Sequence, residues 1–168
     1  MKRQKGFSLI ELLIVVAIIL IIAAIAIPNL MRARIAANES SAAANLRTIG
    51  TAEVGYWQTY TNADNAHEYS PDLVSLGGDS TVCGSGLVPA AANACLIDNE
   101  LALAGTKQKS GYLITYVPVP DGAGLRSAYT INADATSTNL GVKHYFSDET
   151  NVIRVNLTAT AGPTDPAI

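Results

Sequence analysis

The fold is decided by one stretch near the N-terminus, GFSLIELLIVVAIILIIAAIAIPN, which covers residues 6–29. Between Phe7 and Ile27, 19 of 21 residues are hydrophobic, and only Ser8 and Glu11 are not. As a helix this segment is roughly 31 Å long, which matches the hydrocarbon core of a bilayer. The remainder of the chain has the apolar content of an ordinary globular domain, so we predict one membrane-spanning segment joined to one globule.

The residues before this stretch are basic. Lys2, Arg3 and Lys5 carry three positive charges, and residues 1–6 contain no acid. The positive-inside rule therefore predicts that the N-terminus lies in the cytoplasm and that the rest of the chain lies across the membrane. No second segment of comparable apolarity follows, which indicates a single-pass topology.

Three interpretations of the apolar segment differ in how they treat Glu11. A plain membrane anchor is the simplest, and a secretory signal cleaved at an A-x-A site at residues 24–26 is the second. The unbroken apolar run Leu12–Ile27 is longer than the usual core of a signal. An ionised and unpaired Glu11 in lipid costs on the order of a few kcal/mol, so a carboxylate here needs a cationic partner.

The third interpretation supplies that cation. The segment KGFSLIE, residues 5–11, resembles the processing site of type IV prepilins and of the related pseudopilins. The resemblance implies that a dedicated peptidase cuts between Gly6 and Phe7 and N-methylates Phe7. Glu11 is then one helical turn from a new cationic amine, and a negative charge in the first turn suits the helix dipole. In the family this acid pairs with the amine of a neighbouring subunit, which sets the register of adjacent helices.

The helical pattern continues beyond Pro28. A proline normally breaks or kinks a helix, and in filaments of the family the segment around this proline can lose helicity; a static kink is the alternative. Apolar residues with the 3.6-residue period predict that residues 29–60 form an amphipathic helix packed on a globular domain. That stripe contains Ala42, Leu46, Ile49, Tyr56 and Tyr60.

The charges are distributed unevenly between this helix and the rest of the chain. We expect the helix arginines to balance the helix acids, namely Arg32, Arg34 and Arg47 against Glu11, Glu39 and Glu53. Beyond Tyr60 there are five basic residues against eleven acidic ones. Because a nucleic-acid-binding protein presents a basic face to phosphates, this acidic balance argues against direct nucleic-acid binding.

Residues 61–168 are predicted to form the globular head. Residues 61–94 are typical of a loop, with a short helix capped by Ser70 before Leu73–Gly77 and a second one at Asp98–Gly105. Runs of β-branched and aromatic residues then predict four strands in an antiparallel meander. Those runs are Tyr112–Val119, Ala128–Ala133, Val142–Phe146 and Val152–Leu157. We expect the C-terminal residues from Gly162 onward to be frayed.

The pattern and the resemblance together indicate an α+β, pilin-like fold. A long N-terminal helix, half of it transmembrane, packs on a C-terminal antiparallel meander of about four strands. The predicted segments are a cleaved leader (1–6), a membrane and assembly helix (7–28), an amphipathic helix (29–60) and the head (61–168).

Cys83 and Cys95 are the only cysteines. Translocation places them in an oxidising compartment, so a disulfide is the leading interpretation and two free thiols are the alternative. Two cysteines alone make a poor metal site. Many type IV pilins close a disulfide near the C-terminus, whereas this pair lies in mid-chain.

The sequence contains no catalytic constellation. His67 and His144 are isolated and lack metal-ligand spacing, so each is interpreted as a surface or sheet-face residue. Tyr56, Trp57 and Tyr60 form an aromatic group at the end of the helix, which we interpret as core packing. We therefore predict no enzymatic activity, no metal and no cofactor.

The resemblance implies a structural subunit of a type IV pilus-like filament. The expected partners are copies of the same chain, the prepilin peptidase and methyltransferase, an inner-membrane assembly platform, and the membrane itself. The chain would lie in the inner membrane before assembly and in an extracellular pilus afterwards. A pseudopilin of a type II secretion system, forming a periplasmic pseudopilus, is one alternative. A membrane-anchored or secreted binding domain without an assembly role is the other.

Overall fold

A computed structural model describes residues 7–78, 80–84 and 88–168 of the chain. The chain divides into two compact units, of which the first ends at Arg34 and the second is Ile35–Ile168. Helix α1, Leu9–Thr59, contributes residues to both units. The predicted leader, residues 1–6, lies outside the described residues.

The second unit is built on an antiparallel sheet. Its strands are β1 (Tyr112–Pro120), β2 (Arg126–Ala135), β3 (His144–Asp148) and β4 (Arg154–Asn156), and they lie in the order β1-β2-β3-β4. Each strand pairs with the next one in sequence, so the sheet is the predicted meander. The α+β, pilin-like fold is thereby confirmed.

The C-terminal half of α1 supplies one side of the core. Its buried residues lie between Glu39 and Tyr56, and Leu46 and Ile49 are completely buried. They pack in one cluster with the inward side chains of β1 and β2, among them Ile114 and Ile131. The period-3.6 stripe of the helix and the period-2 alternation of the strands bury the two faces against each other.

Four short helical segments lie in the connection between α1 and the sheet. They are α2 (Leu73–Leu76), α3 (Ser80–Cys83), α4 (Asn99–Ala102) and a 3-10 helix (Leu103–Gly105). The predicted short helices correspond to α2 and α4, and α3 was not predicted. The N-cap of α2 is Asp72, whose side chain accepts from Ser75 N–H, so the prediction that Ser70 caps this helix is wrong.

The C-terminal tail is docked on β4, and the expectation that it frays is wrong. The backbone N–H of Val155 donates to Pro166 O at 2.9 Å, and that of Ile168 donates to Ile153 O at 3.0 Å. Asn132, on β2, donates to Ala161 O at 2.7 Å. The tail therefore continues the ladder at the β4 edge, which would otherwise present unpaired backbone groups.

The opposite edge of the sheet, at β1, is protected by prolines. Tyr112 exchanges both backbone hydrogen bonds with Lys109, on the side away from β2. Because this direction alternates along a strand, Pro118 and Pro120 stand where an N–H would face the open edge. Neither proline has an N–H to offer to an incoming strand.

Candidate assembly segment

The first unit contains an apolar helical segment that none of the described residues of the chain covers. From Phe7 to Met31 its large hydrophobic side chains are all exposed, for example Leu9 at 80% and Leu30 at 72%. By length and composition, α1 is a helix that could cross a membrane. A helix that is apolar on all sides needs lipid or other helices around it, so this segment is built for a non-aqueous environment.

Glu11 lies in the first turn of α1 and caps the start of the helix. Its Oε2 atom accepts a hydrogen bond from the backbone N–H of Ser8 at 3.0 Å. Ser8 O accepts the first helical bond, from Leu12 N–H, at 3.2 Å. The S-x-x-E spacing of Ser8 and Glu11 produces this arrangement, in which the acid satisfies an orphan donor at the helix N-terminus.

The predicted cleavage bond joins a residue outside the described part of the chain to one inside it. Gly6 is among the residues that the structure does not describe, while Phe7 is described and 80% exposed. Two residues, Phe7 and Ser8, precede the first residue of α1. Phe7 therefore lies before the helix, at the start of the part of the chain that the structure describes.

Pro28 lies inside α1, and the helix is continuous through it. Proline has no N–H, so the carbonyl of Ala24 loses its intrahelical donor at this turn. Helix propensity is low there for the same reason. The kink predicted at Pro28 remains a prediction.

The two buried acids of α1, Glu39 and Glu53, have their partners outside the helix. Glu39 lies 3.0 Å from Lys143 and also accepts from Val142 N–H at 3.2 Å. Burial acts to raise the pKa of Glu39, but the ammonium and the backbone N–H groups outweigh burial and hold that pKa below its ordinary value. Glu39 thereby fixes the segment before β3 to the helix.

Glu53 is completely buried and bonds to Ser70 in the connection that follows α1. Burial raises the pKa of its carboxyl above the ordinary value, against the opposing effect of the Ser70 donors. In the sequence, Glu53 stands at the turn between Ile49 and Tyr56 of the apolar stripe, but nothing there indicated a partner 17 residues away.

Cys83 and Cys95 form the predicted disulfide, with Cα atoms 5.7 Å apart. The bridge joins α3 to the segment after it and closes a short loop in a region with little regular structure. Such a loop gains about 3 kcal/mol of stability in the chain-entropy description. Backbone bonds from Ala94 N–H to Ser75 O and from Leu96 N–H to Leu76 O anchor the same segment to α2.

The two histidines have definite structural partners. His67 Nδ1 lies 2.6 Å from Trp57 O, and its ring contacts the Trp57 ring at a tilt of 32°, with centroids 4.8 Å apart. His67 thus closes the C-terminal end of α1. His144, on β3, lies 2.7 Å from Asp134 Oδ1, on β2. In the part of the chain that the structure describes, no group of three or more His, Cys, Asp or Glu residues could hold a metal ion.

The fold and this segment define a class of protein: a small α+β head carried on an apolar helix with an acid in its first turn. Residues 1–27 match a family model described as the prokaryotic N-terminal methylation motif. The chain is 35% identical over 142 residues to the type IV wide pilus major component PilA4 of Thermus thermophilus, covering 82% of this chain and 95% of that protein.

A second relative is the type IV major pilin protein PilA of Myxococcus xanthus. The identity is 41% over 73 residues, which are 42% of this chain and 33% of that protein. No solved structure matches the chain. The chain belongs to the type IV pilin family, and its motif is that of a pilus subunit processed by prepilin peptidase.

Proposed function

We propose that this chain is a structural subunit of a type IV pilus, polymerising through its apolar N-terminal helix after cleavage and N-methylation. The observation that carries the proposal is the exposure of every large apolar side chain from Phe7 to Met31. Packing that surface against copies of itself keeps it out of water, where each Å² of exposed apolar area would cost about 25 cal/mol.

Processing occurs between Gly6 and Phe7, and the new amine of Phe7 is methylated. The match of residues 1–27 to the methylation motif supports this step. In the precursor, Glu11 accepts from Ser8 N–H at the exposed start of α1. In the filament, the Glu11 carboxylate pairs with the Phe7 amine of a neighbouring copy, because an ionised carboxylate in an apolar medium needs a cation.

The segments then have separate tasks. Residues 1–6 direct processing, residues 7–28 hold the chain in the inner membrane and later form the filament core, and Pro28 is a site of helix bending. Residues 29–60 carry the head, residues 61–168, which becomes the filament surface. The partners are copies of the chain, the peptidase and an inner-membrane assembly platform, and the role is structural rather than enzymatic.

The test replaces Glu11 by Ala in the native strain. We expect precursor cleavage and the head to be unaffected and the sheared filament fraction to fall sharply, because the register contact is lost. The matched control is Glu100→Ala, an exposed acid on α4. Electron microscopy and immunoblotting of the sheared fraction measure assembly, and intact mass measures processing.

Three outcomes would overturn the proposal. Wild-type amounts of filament from the Glu11→Ala strain would exclude the register contact. A mature N-terminus at Ile27 rather than at methylated Phe7 would indicate ordinary signal cleavage. A deletion strain that keeps its surface fibres but fails to export protein would assign the chain to a type II secretion pseudopilus.

A further inference from the structure

A cleft of about 300 Å³ opens where α1 runs into the connection that follows it. Its lining includes Tyr56 and Tyr60 from α1 and the connection, and Ala91 and Ala92, whose side chains are small. The hydroxyl of Tyr56 donates to Ala91 O at 3.0 Å, which fixes the distance across the cleft. Its volume is at the lower end of the range for small-molecule sites, so it suits a ligand with one ring.

The aromatic walls are not arranged as a slot for a flat ring. The Tyr56 and Tyr60 rings have centroids 4.9 Å apart and are tilted by 45°. Tyr56 is buried and only 4% exposed, so the half-buried ring of Tyr60 supplies the electron-rich face, which attracts C–H groups that carry partial positive charge. A puckered ring with C–H groups on one face and polar groups at its rim fits such walls better than a planar aromatic ring does.

The polar lining carries two charges that offset each other. Arg126 Nη2 lies 2.9 Å from Glu68 Oε2, and Arg126 Nε donates to Tyr69 O at 2.8 Å. The guanidinium has more N–H donors than these contacts use, and the carboxylate has further acceptor capacity. An anionic ligand would face Glu68 and a cationic ligand would face Arg126, so the pair favours a neutral ligand with both donors and acceptors.

Asn62 adds a donor at the same rim. Its amide oxygen already accepts from the N–H groups of Asp64 and Ala66, each at 2.9 Å, which leaves its amide N–H groups for a ligand. The cleft thus combines the face of Tyr60 with a neutral rim of paired donors and acceptors. We propose that it binds one neutral pyranose ring of a glycan, a function that does not depend on filament assembly.

The test uses the mature full-length chain in a detergent without a sugar headgroup. Saturation-transfer NMR is recorded with the methyl glycosides of glucose, galactose, mannose and N-acetylglucosamine, and with glucuronic acid and glucosamine as charged probes. We expect at least one neutral glycoside to bind with a Kd on the order of 1 mM and the charged sugars to bind more weakly.

The decisive variant is Ala92→Leu, which fills the cleft without removing a side-chain contact. Ala159→Leu is the matched control, since Ala159 is also exposed but does not line the cleft. The proposal is supported if Ala92→Leu reduces the saturation-transfer signal of the glycoside about tenfold and Ala159→Leu retains it. The proposal is overturned if no neutral glycoside gives a signal that Ala92→Leu removes, or if a charged sugar binds more tightly.

Discussion

Glu53 and Ser70 fasten helix α1 to the connection that follows it. The backbone N–H of Ser70 donates to Glu53 Oε2 at 3.0 Å, its hydroxyl donates to Glu53 Oε1 at 2.5 Å, and both residues are completely buried. The hydroxyl of Tyr116, on β1, donates to Ser70 O at 3.0 Å. A helix, a loop and a strand therefore meet at one carboxyl group that is satisfied by neutral donors.

This arrangement predicts a pH-dependent stability that Glu53→Gln should remove. Burial raises the pKa of Glu53 above its ordinary value of 4.5. Its contribution to stability is therefore fully present below pH 4.5 and is lost as the pH rises through the raised pKa. Gln stays neutral at every pH. We therefore expect the melting temperature of Glu53→Gln to rise relative to that of wild type as the pH rises.

Thermal unfolding of the full chain in detergent between pH 4 and pH 8 measures this difference. Glu100→Gln, at an exposed position of α4, is the control and should follow the wild-type slope. Equal pH slopes for wild type and Glu53→Gln would contradict the assignment.

Gly50 is present in α1 because Asn151 occupies the space beside it. A Cβ atom at residue 50 would lie 1.8 Å from Asn151 Oδ1. Gly50→Ala therefore requires the exposed Asn151 side chain to move, and we expect a destabilisation of about 1 kcal/mol, at the low end of the cost of overpacking, although alanine favours a helix by about 1 kcal/mol. Asn151 has a φ of 57°, which glycine adopts freely, so Asn151→Gly should restore stability to the Gly50→Ala chain.

Gly55 in the same helix provides the matched control. A Cβ atom there would meet only Leu96 methyl carbons at 3.8 Å, which is ordinary contact. We expect Gly55→Ala to be neutral or to stabilise by about 0.5–1 kcal/mol. Urea unfolding of wild type, Gly50→Ala, Asn151→Gly and the double variant gives a double-mutant cycle. Additive effects of Gly50→Ala and Asn151→Gly on the free energy of unfolding would contradict the proposed contact.

Glu39 and Lys143 should give a pH dependence of the opposite sign. Because the pKa of Glu39 lies below its ordinary value of 4.5, its contribution is present above that pH and is lost as the pH falls through the lowered pKa. Glu39→Gln should destabilise the chain at pH 7 by about 1 kcal/mol, since Lys143 is half exposed, and by less in acid.

Urea midpoints at pH 3, 5 and 7 measure this effect. Lys143→Met separates the two kinds of partner, because it removes the ammonium and leaves the Val142 N–H contact to Glu39 in place. A Glu39→Gln chain whose midpoint follows the wild-type midpoint in parallel at all three pH values would exclude the linkage.

The sequence predicted the parts of the fold that follow from periodicity. Leu46, Ile49 and Tyr56 recur on one face of a helix, and the apolar strands alternate, so the helix-on-sheet core could be derived from local patterns. The assembly segment could also be predicted from the sequence, because its length, its apolarity and the position of Glu11 are all local properties.

The contacts that were missed join residues far apart in the chain. Glu39 and Glu53 are charged residues on the buried side of a helix, and their partners Lys143 and Ser70 are supplied only by the folded topology. The prediction that Ser70 is the N-cap was wrong because the Ser70 hydroxyl bonds to Glu53, and Asp72 caps α2 instead. Helix-capping rules consider neighbours along the chain and cannot include such competition.

The docked tail provides the last prediction, because Asp165 holds it in place. The Asp165 carboxylate accepts from Gly162 N–H at 2.8 Å and from Asn156 Nδ2 at 3.2 Å, while Arg154 donates to its carbonyl at 3.0 Å. Asp165→Ala removes the two side-chain contacts and should loosen the tail. The hydrogen bond from Val155 N–H to Pro166 O would then be open for a larger fraction of the time.

Amide hydrogen exchange of the full chain in detergent measures this loosening at one residue. Loss of about 1.4 kcal/mol of local stability corresponds to about tenfold faster exchange at Val155. Thr164→Ala changes an exposed neighbour in the same turn and should leave that rate unchanged. If Val155 already exchanges at the rate of a free peptide in the wild-type chain, the tail is frayed as its sequence suggested, and the β4 edge must be protected in another way.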